Sequence, residues 1–129
     1  MRENTIKRNE IIKDAQARDK LLTCYVIDID SRNHTCLLYR AHDVPPKLLF
    51  VLFRTATKKD VLYRVEIVQL KRFSELTDGD VASIFSKPYR DWVACLQDMR
   101  QIHKHFSDDE IVALVWLGEP ESNWGITSE

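Results

Sequence analysis

The sequence predicts an α+β fold, a small curved sheet or barrel of about five to six strands with flanking helices. Three observations carry that prediction. Between Leu22 and Leu70 apolar and polar residues alternate in bounded runs, whereas before Lys20 and again between Asp78 and His105 the apolar residues recur at helical intervals. The helical stretches stand apart from the run of strands, unlike the alternation of a βαβ protein. With 3 Gly and 4 Pro in 129 residues and 44% hydrophobic residues spread along its length, the chain can bury a core and is not largely disordered.

From Thr5 to about Lys20, Ile6, Ile11, Ile12 and Ala15 mark one face of an amphipathic helix, with Asn4 or Thr5 as its cap. Leu22 to Asp30 reads as a strand, Ser31 to His34 as a polar turn, and Thr35 to Arg40 as a second strand pairing back on the first. Val44-Pro45-Pro46 is a loop, because two proline rings fix φ and remove two donors. Leu48 to Phe53 and Val61 to Leu70, separated by the polar residues 55 to 59, form a hairpin.

After Phe73, Ser74 to Asp80 gives a turn and then the cap-rich start of a short helix through about Phe85. Ser86-Lys87-Pro88 opens a longer helix, whose apolar face runs through Trp92, Leu96, Met99 and His103 to about His105. Glu110 to Leu117 is a last strand, apolar enough to be buried on both faces. Residues 1–118 are expected to form a single domain, and residues 119–129 a C-terminal tail onto which Trp124 and Ile126 offer docking side chains.

Charge is balanced overall at −1 but divided along the chain. Residues 1 to 60 hold 12 Lys/Arg and 8 Asp/Glu, a balance of +4, and the remainder holds 7 and 12, a balance of −5. Such polarity can place a cationic surface on one side of a domain. The longest apolar runs, Leu48 to Phe53 and Ile111 to Leu117, fall far short of the roughly 20 residues a membrane-spanning helix needs. Charges throughout the first 20 residues leave no apolar core for a secretory signal, so the expected location is cytoplasmic, with no membrane association. Cys24, Cys36 and Cys95, odd in number and widely spaced, read as reduced core thiols.

No phosphate loop, dinucleotide glycine fingerprint, CxxC or HExxH is present, and no cofactor or metal is implied. His103 and His105, two apart on a helix, point in widely different directions and do not make a metal pair. Basic residues interleave with strand aromatics: Tyr25, Tyr39, Phe53 and Tyr63 lie near Arg40, Arg54, Arg64, Lys71 and Arg72. Stacking on aromatic faces beside cations is the chemistry by which single-stranded RNA is held. Taken singly, strand aromatics in a small barrel are core, and Trp92 and Trp116 are expected to be buried.

The strand Tyr63 to Val68, leading into Lys71-Arg72-Phe73-Ser74-Glu75-Leu76-Thr77-Asp78-Gly79-Asp80, then helix, acidic turn and the apolar strand Ile111 to Leu117, resembles an ASCH domain, a compact relative of the PUA barrel. The resemblance covers about residues 60 to 117 well and residues 5 to 59 in element order. The front signature of that family, a lysine-bearing turn of the form G-x-K-[ST]-x-T-x-R, is matched by Lys20 and Thr23, with Arg18 in place of the glycine and the later arginine absent.

The resemblance implies an intracellular domain that binds single-stranded RNA or a nucleotide in a basic cleft between the sheet and the first helix. Lys20, Thr23, Arg40, Arg54, Arg64 and Arg72 are the candidates for that cleft. Some small ASCH proteins resemble acetylcytidine amidohydrolases, which use a glutamate in the helical segment after the shared phrase. Here Val81 to Phe85 carries no carboxylate, so no catalytic residue is assigned, and Asp78 and Asp80 read as cap and first-turn acids. Two alternatives stand beside RNA or nucleotide binding: a hydrolase acting on modified nucleosides or RNA, and an adaptor binding a protein partner through Asp108, Asp109, Glu110 and the tail.

Overall fold

The computed structural model describes residues 8–26, 36–56, 60–84, 91–121 and 124. Helix α1 (Arg8–Ala17) leads into strand β1 (Leu21–Val26), followed by β2 (Cys36–Arg40), β3 (Phe50–Thr55) and β4 (Val61–Arg72). Helices α2 (Asp78–Ala82) and α3 (Trp92–Ile102) precede the last strand, β5 (Ile111–Pro120). The five strands make one mixed sheet in the order β1-β3-β4-β5-β2, and with the helices this is an α+β fold.

Among the described residues the first two strands do not pair with each other as the expected hairpin would have them. Strand β1 runs parallel to β3, from Leu21↔Phe50 to Val26↔Thr55, and β2 pairs antiparallel with β5, from Cys36↔Trp116 to Arg40↔Val112. Alternation identifies a strand but not its neighbour. Cys36, Leu37 and Leu38 are apolar on both faces and pair with the half-buried Trp116 and the fully buried Val115 and Leu114. The residues read as the connecting turn, 31 to 34, and Ile27 to Asp30 of the first expected strand lie outside the described residues. The β3–β4 hairpin is present as expected, with Phe50↔Arg64 through Phe53↔Val61 in register.

The described residues divide into two compact units, one of 8–26, 45–56, 60–66, 117–121 and 124, the other of 36–44, 67–84 and 91–116. In the first unit, pairing registers set which side chains share a face of the sheet. Val51, Phe53 and Tyr63 fall on one face, all deeply buried, with the Phe53 and Tyr63 rings edge to face at 5.3 Å. Burial pushes the Tyr63 phenol above its ordinary pKa. Thr23, Leu52, Leu62, Arg54 and Arg64 fall on the other.

The second unit has its own core. Val112, Leu114 and Trp116 of β5 and Cys36 and Leu38 of β2 present alternate side chains to a cluster built from Phe73, Leu76, Val81, Ile84, Cys95, Leu96, Met99 and Phe106. Phe73 is fully buried and meets the Phe106 ring edge to face at 5.0 Å and Trp92 at 5.5 Å. Trp92 and Trp116 are half-buried, where the sequence predicted burial. Each indole keeps its N–H on an acceptor, Phe73 O and Gln69 Oε1 respectively, both at 2.8 Å.

Helix α2 opens on a reciprocal cap. Thr77 Oγ1 accepts from the Asp80 N–H at 3.0 Å, and Asp80 Oδ2 accepts from the Thr77 N–H at 3.1 Å. Asp78, in the first turn of α2, accepts at Oδ1 from the Trp92 N–H at 2.9 Å and so ties that turn to the start of α3 and does not cap its own helix. Asp91 caps α3 by accepting from the Ala94 N–H at 2.9 Å. The expected opening at Ser86 lies outside the described residues. The helix ends at Ile102, short of the expected His105, because His103 turns to an extended conformation. His103 is half-buried and His105 exposed.

Candidate functional site

The junction of α1 and β1 sets the geometry of the first unit. Lys20 N–H donates to Ala15 O at 2.7 Å and Asp19 N–H to Gln16 O at 3.2 Å, the two bonds of a Schellman helix end. That motif requires a left-handed residue, and Asp19 supplies it at φ 55°. The Lys20 carbonyl then accepts from the Leu49 and Phe50 N–H groups at 2.9 and 3.1 Å, which ties the helix end to the start of β3. The left-handed position is therefore Asp19, whereas the family glycine was matched to Arg18, one residue earlier.

Helix α1, β3 and Asp60 line a half-open cavity of about 440 Å³. Ile12 and the buried Leu52 supply its apolar wall. Arg8, Asn9, Lys13 and Gln16 enter from α1, Arg54 from β3, and Glu10 and Asp60 add two carboxylates. Residues 8, 12 and 16, with 9 and 13, repeat at four-residue intervals and form one stripe of a helix. The size suits a single small ligand.

Arg8 is already engaged. Its Nη1 donates to the Asp60 carbonyl at 2.8 Å and to Glu121 Oε1 at 2.9 Å, with the Arg8 and Glu121 side chains only 17% and 15% exposed. With Arg8 neutralised, the exposed Lys13 and Arg54 stand against Glu10 and Asp60. The wall is mixed in charge, not cationic throughout. Beyond Glu121, the Trp124 N–H bonds back to Glu121 O at 2.9 Å, and its ring packs against Phe50 at 5.6 Å. The Arg64 guanidinium lies 4.4 Å from the centre of the same ring.

The six residues singled out in the sequence separate accordingly. Thr23, Arg54 and Arg64 share one face of the sheet, and Arg54 borders the cavity. Lys20 stands half-buried at the α1–β1 junction of the same unit. Arg40 and Arg72 belong to the other unit, Arg40 ion-paired to Glu110 and Arg72 exposed at the end of β4, its N–H bonded to Glu75 Oε1 at 3.1 Å. Of the strand aromatics, Phe53 and Tyr63 are core and Tyr25 is 78% exposed.

Sequence reasoning missed Arg8, Lys13 and Gln16. The signal was present, since the helix stripe that contains them also contains Ile12, but a charged stripe on an amphipathic helix ordinarily faces solvent. A smaller depression of about 230 Å³ lies at the end of α1, between Arg18, Asp19, Pro46 and Lys47.

In the second unit, Lys71 Nζ donates to Asp80 Oδ2 at 3.1 Å. Burial alone would raise the Asp80 pKa, but the Thr77 N–H, the Lys71 ammonium and the Thr77 side chain together hold it below the ordinary value. Burial, assisted by Asp80 and Cys95, pushes the Cys36 thiol up to about 12, and burial with the Asp98 charge does the same to Cys95. These are inert packing thiols.

Among the described residues no group of three His, Cys, Asp or Glu is placed to hold a metal ion, and no helix is long and apolar enough to cross a membrane. Comparison with family models, curated proteins and solved structures finds no match to this chain.

Proposed function

We propose that the cleft under α1 binds a nucleotide or the exposed end of a single-stranded RNA, in keeping with the ASCH-like phrase between Tyr63 and Asp80. The observation that carries the reading is the 440 Å³ cavity in which Lys13 and Arg54 stand beside Glu10, Asp60 and an apolar wall. A nucleotide matches each part. Its phosphate pairs with the cations, its ribose hydroxyls and exocyclic amines donate to the carboxylates, and its base covers Ile12 and Leu52. Lys20, Thr23 and Arg64 extend the same unit as contacts for a longer strand. Arg40 has a weaker claim, because Glu110 already neutralises it.

Fluorescence anisotropy with a short labelled single-stranded RNA, and calorimetry with nucleoside monophosphates, at low and physiological salt, test the proposal. Two to three phosphate contacts give a log–log salt slope of about −1.4 to −2.1, and Lys13→Ala or Arg54→Ala each reduce it by about 0.7. Affinity that ignores both salt and the Arg54→Ala change refutes the reading.

A hydrolase acting on modified nucleosides is a second reading, and one observation favours it. Glu10 and Asp60 place carboxylates in the cleft, where proton transfer is needed, although Val81 to Phe85, the stretch matched to the family glutamate, has none. Turnover of acetylcytidine that disappears in Glu10→Gln would establish it. Protein capture by the acidic stretch has less support, since Glu110 is committed to Arg40 and the Asp109 N–H closes a local turn on Ser107 Oγ at 3.2 Å.

A further inference from the structure

We infer that Glu121 is a built-in competitor for the anion site, so that a phosphate-bearing ligand entering the cleft displaces its carboxylate from Arg8. The inference rests on the reading of the cleft as a nucleotide site. Arg8 borders the cavity, yet its charge is spent on Glu121, a residue brought there from just beyond β5. The pair is one-armed. Arg8 Nη1 reaches Glu121 Oε1, whereas Arg8 Nε and Glu121 Oε2 are both buried without a hydrogen-bond partner.

A fork-like guanidinium pairs best with a carboxylate through two parallel bonds, and here one arm is unmade. A buried donor and a buried acceptor left unpaired each carry a desolvation penalty that no bond offsets. A phosphate offers three acceptor oxygens and more charge than a carboxylate, so it can take over Nη1 of Arg8 while spanning one edge of the guanidinium with two of its oxygens. It then leaves the Glu121 carboxylate to return to water.

The displacement has a route outward. The Glu121 carbonyl accepts from the Trp124 N–H, and Trp124 rests on Phe50 and under the Arg64 guanidinium. Release of Glu121 therefore loosens the docking of Trp124, and ligand binding and C-terminal docking oppose one another. The coupling is reciprocal, as linkage requires.

The test uses the full chain and cytidine 5′-monophosphate, with inorganic phosphate as the smaller probe. Calorimetry on Glu121→Gln is expected to show affinity raised about three- to tenfold over the parent, the scale of losing one partly buried competing ion pair. The Trp124 indole N–H resonance, assigned through Trp124→Phe, is expected to move during titration of the parent chain with the same dissociation constant as the heat. In ligand-free Glu121→Gln it already lies toward the bound position.

Should Glu121→Gln not fold, Glu121→Asp, which draws the carboxylate back by one methylene, carries the same expectations. Binding that Arg54→Ala weakens but the Glu121 variants leave unchanged or weaker overturns the competitor and leaves the cleft reading standing. Absence of binding in parent and variants alike overturns both.

Discussion

Lys71 Nζ, near the end of β4, donates to Asp80 Oδ2 in the first turn of α2 at 3.1 Å, and the same oxygen caps the helix by accepting from the Thr77 N–H. One carboxylate thus joins a strand to a helix start across nine positions of sequence, with 14% of its side chain exposed.

Asp80 titrates below its ordinary value, which fixes the sign of its pH effect. A depressed carboxylate contributes stability that is fully present above its unfolded-state value near 3.8 and is lost as pH falls through the lower folded-state value. Urea unfolding between pH 6 and pH 2.5 is expected to show the parent losing stability across that acid window. Asp80→Asn flattens the loss and is about 1 kcal/mol less stable at neutral pH, through the weakened cap.

Asp19 holds a left-handed conformation that glycine adopts without a Cβ penalty. Asp19→Gly is expected to raise stability by up to about 1 kcal/mol, and Asp19→Val to lower it by about 1–2 kcal/mol. Paired denaturation curves check the opposite signs.

Phe73 is fully buried among Trp92, Phe106 and the aliphatic side chains of the second unit. Phe73→Ala is expected to cost about 3–5 kcal/mol, a large share of the ~5–15 kcal/mol available to a typical domain. The Trp92 indole loses its ring neighbour as well, so its fluorescence reports the same change.

The thiols divide by depth. Cys24 is half-buried, whereas Cys36 and Cys95 are sealed and raised to about 12, where only about one molecule in 10⁴ carries a thiolate at pH 8. Ellman's reagent at pH 8 is expected to modify one thiol readily in the folded chain and all three in guanidinium.

Under the proposed nucleotide reading, Arg40 and Arg54 separate fold from function. Arg40→Ala strips Glu110 of its partner and is expected to lower stability by about 1 kcal/mol or more while leaving nucleotide affinity unchanged. Arg54→Ala, on an exposed side chain, does the reverse. Melting temperatures and anisotropy on the same two variants decide the matter.

The pattern of residues was enough to read the α+β class, the β3–β4 hairpin and the doubly buried β5. These depend on local periodicity, which the sequence expresses directly. Thr77, Asp78 and Asp80 were equally readable, because a cap is a matter of three or four adjacent residues. The partner of β2 was not, since nothing near Cys36 to Arg40 names Val112 to Trp116 as its neighbour.

The cleft was half legible. A cavity does lie beside the first helix with Arg54 on its border, but Arg8 and Glu121 meet from distant parts of the chain, and no spacing rule reports such a pair. Arg40 was indistinguishable from Arg54 by sequence, each following apolar residues at a strand end. Only the position of Glu110 tells them apart.

The pairing of β2 with β5 joins strands separated by most of the sequence. During synthesis, Cys36, Leu37 and Leu38 leave the ribosome long before residues 112–116 exist to cover them. The second unit closes late, only once residues 112–116 have emerged, and the interval exposes an oily strand edge to chaperones or to a neighbouring nascent chain.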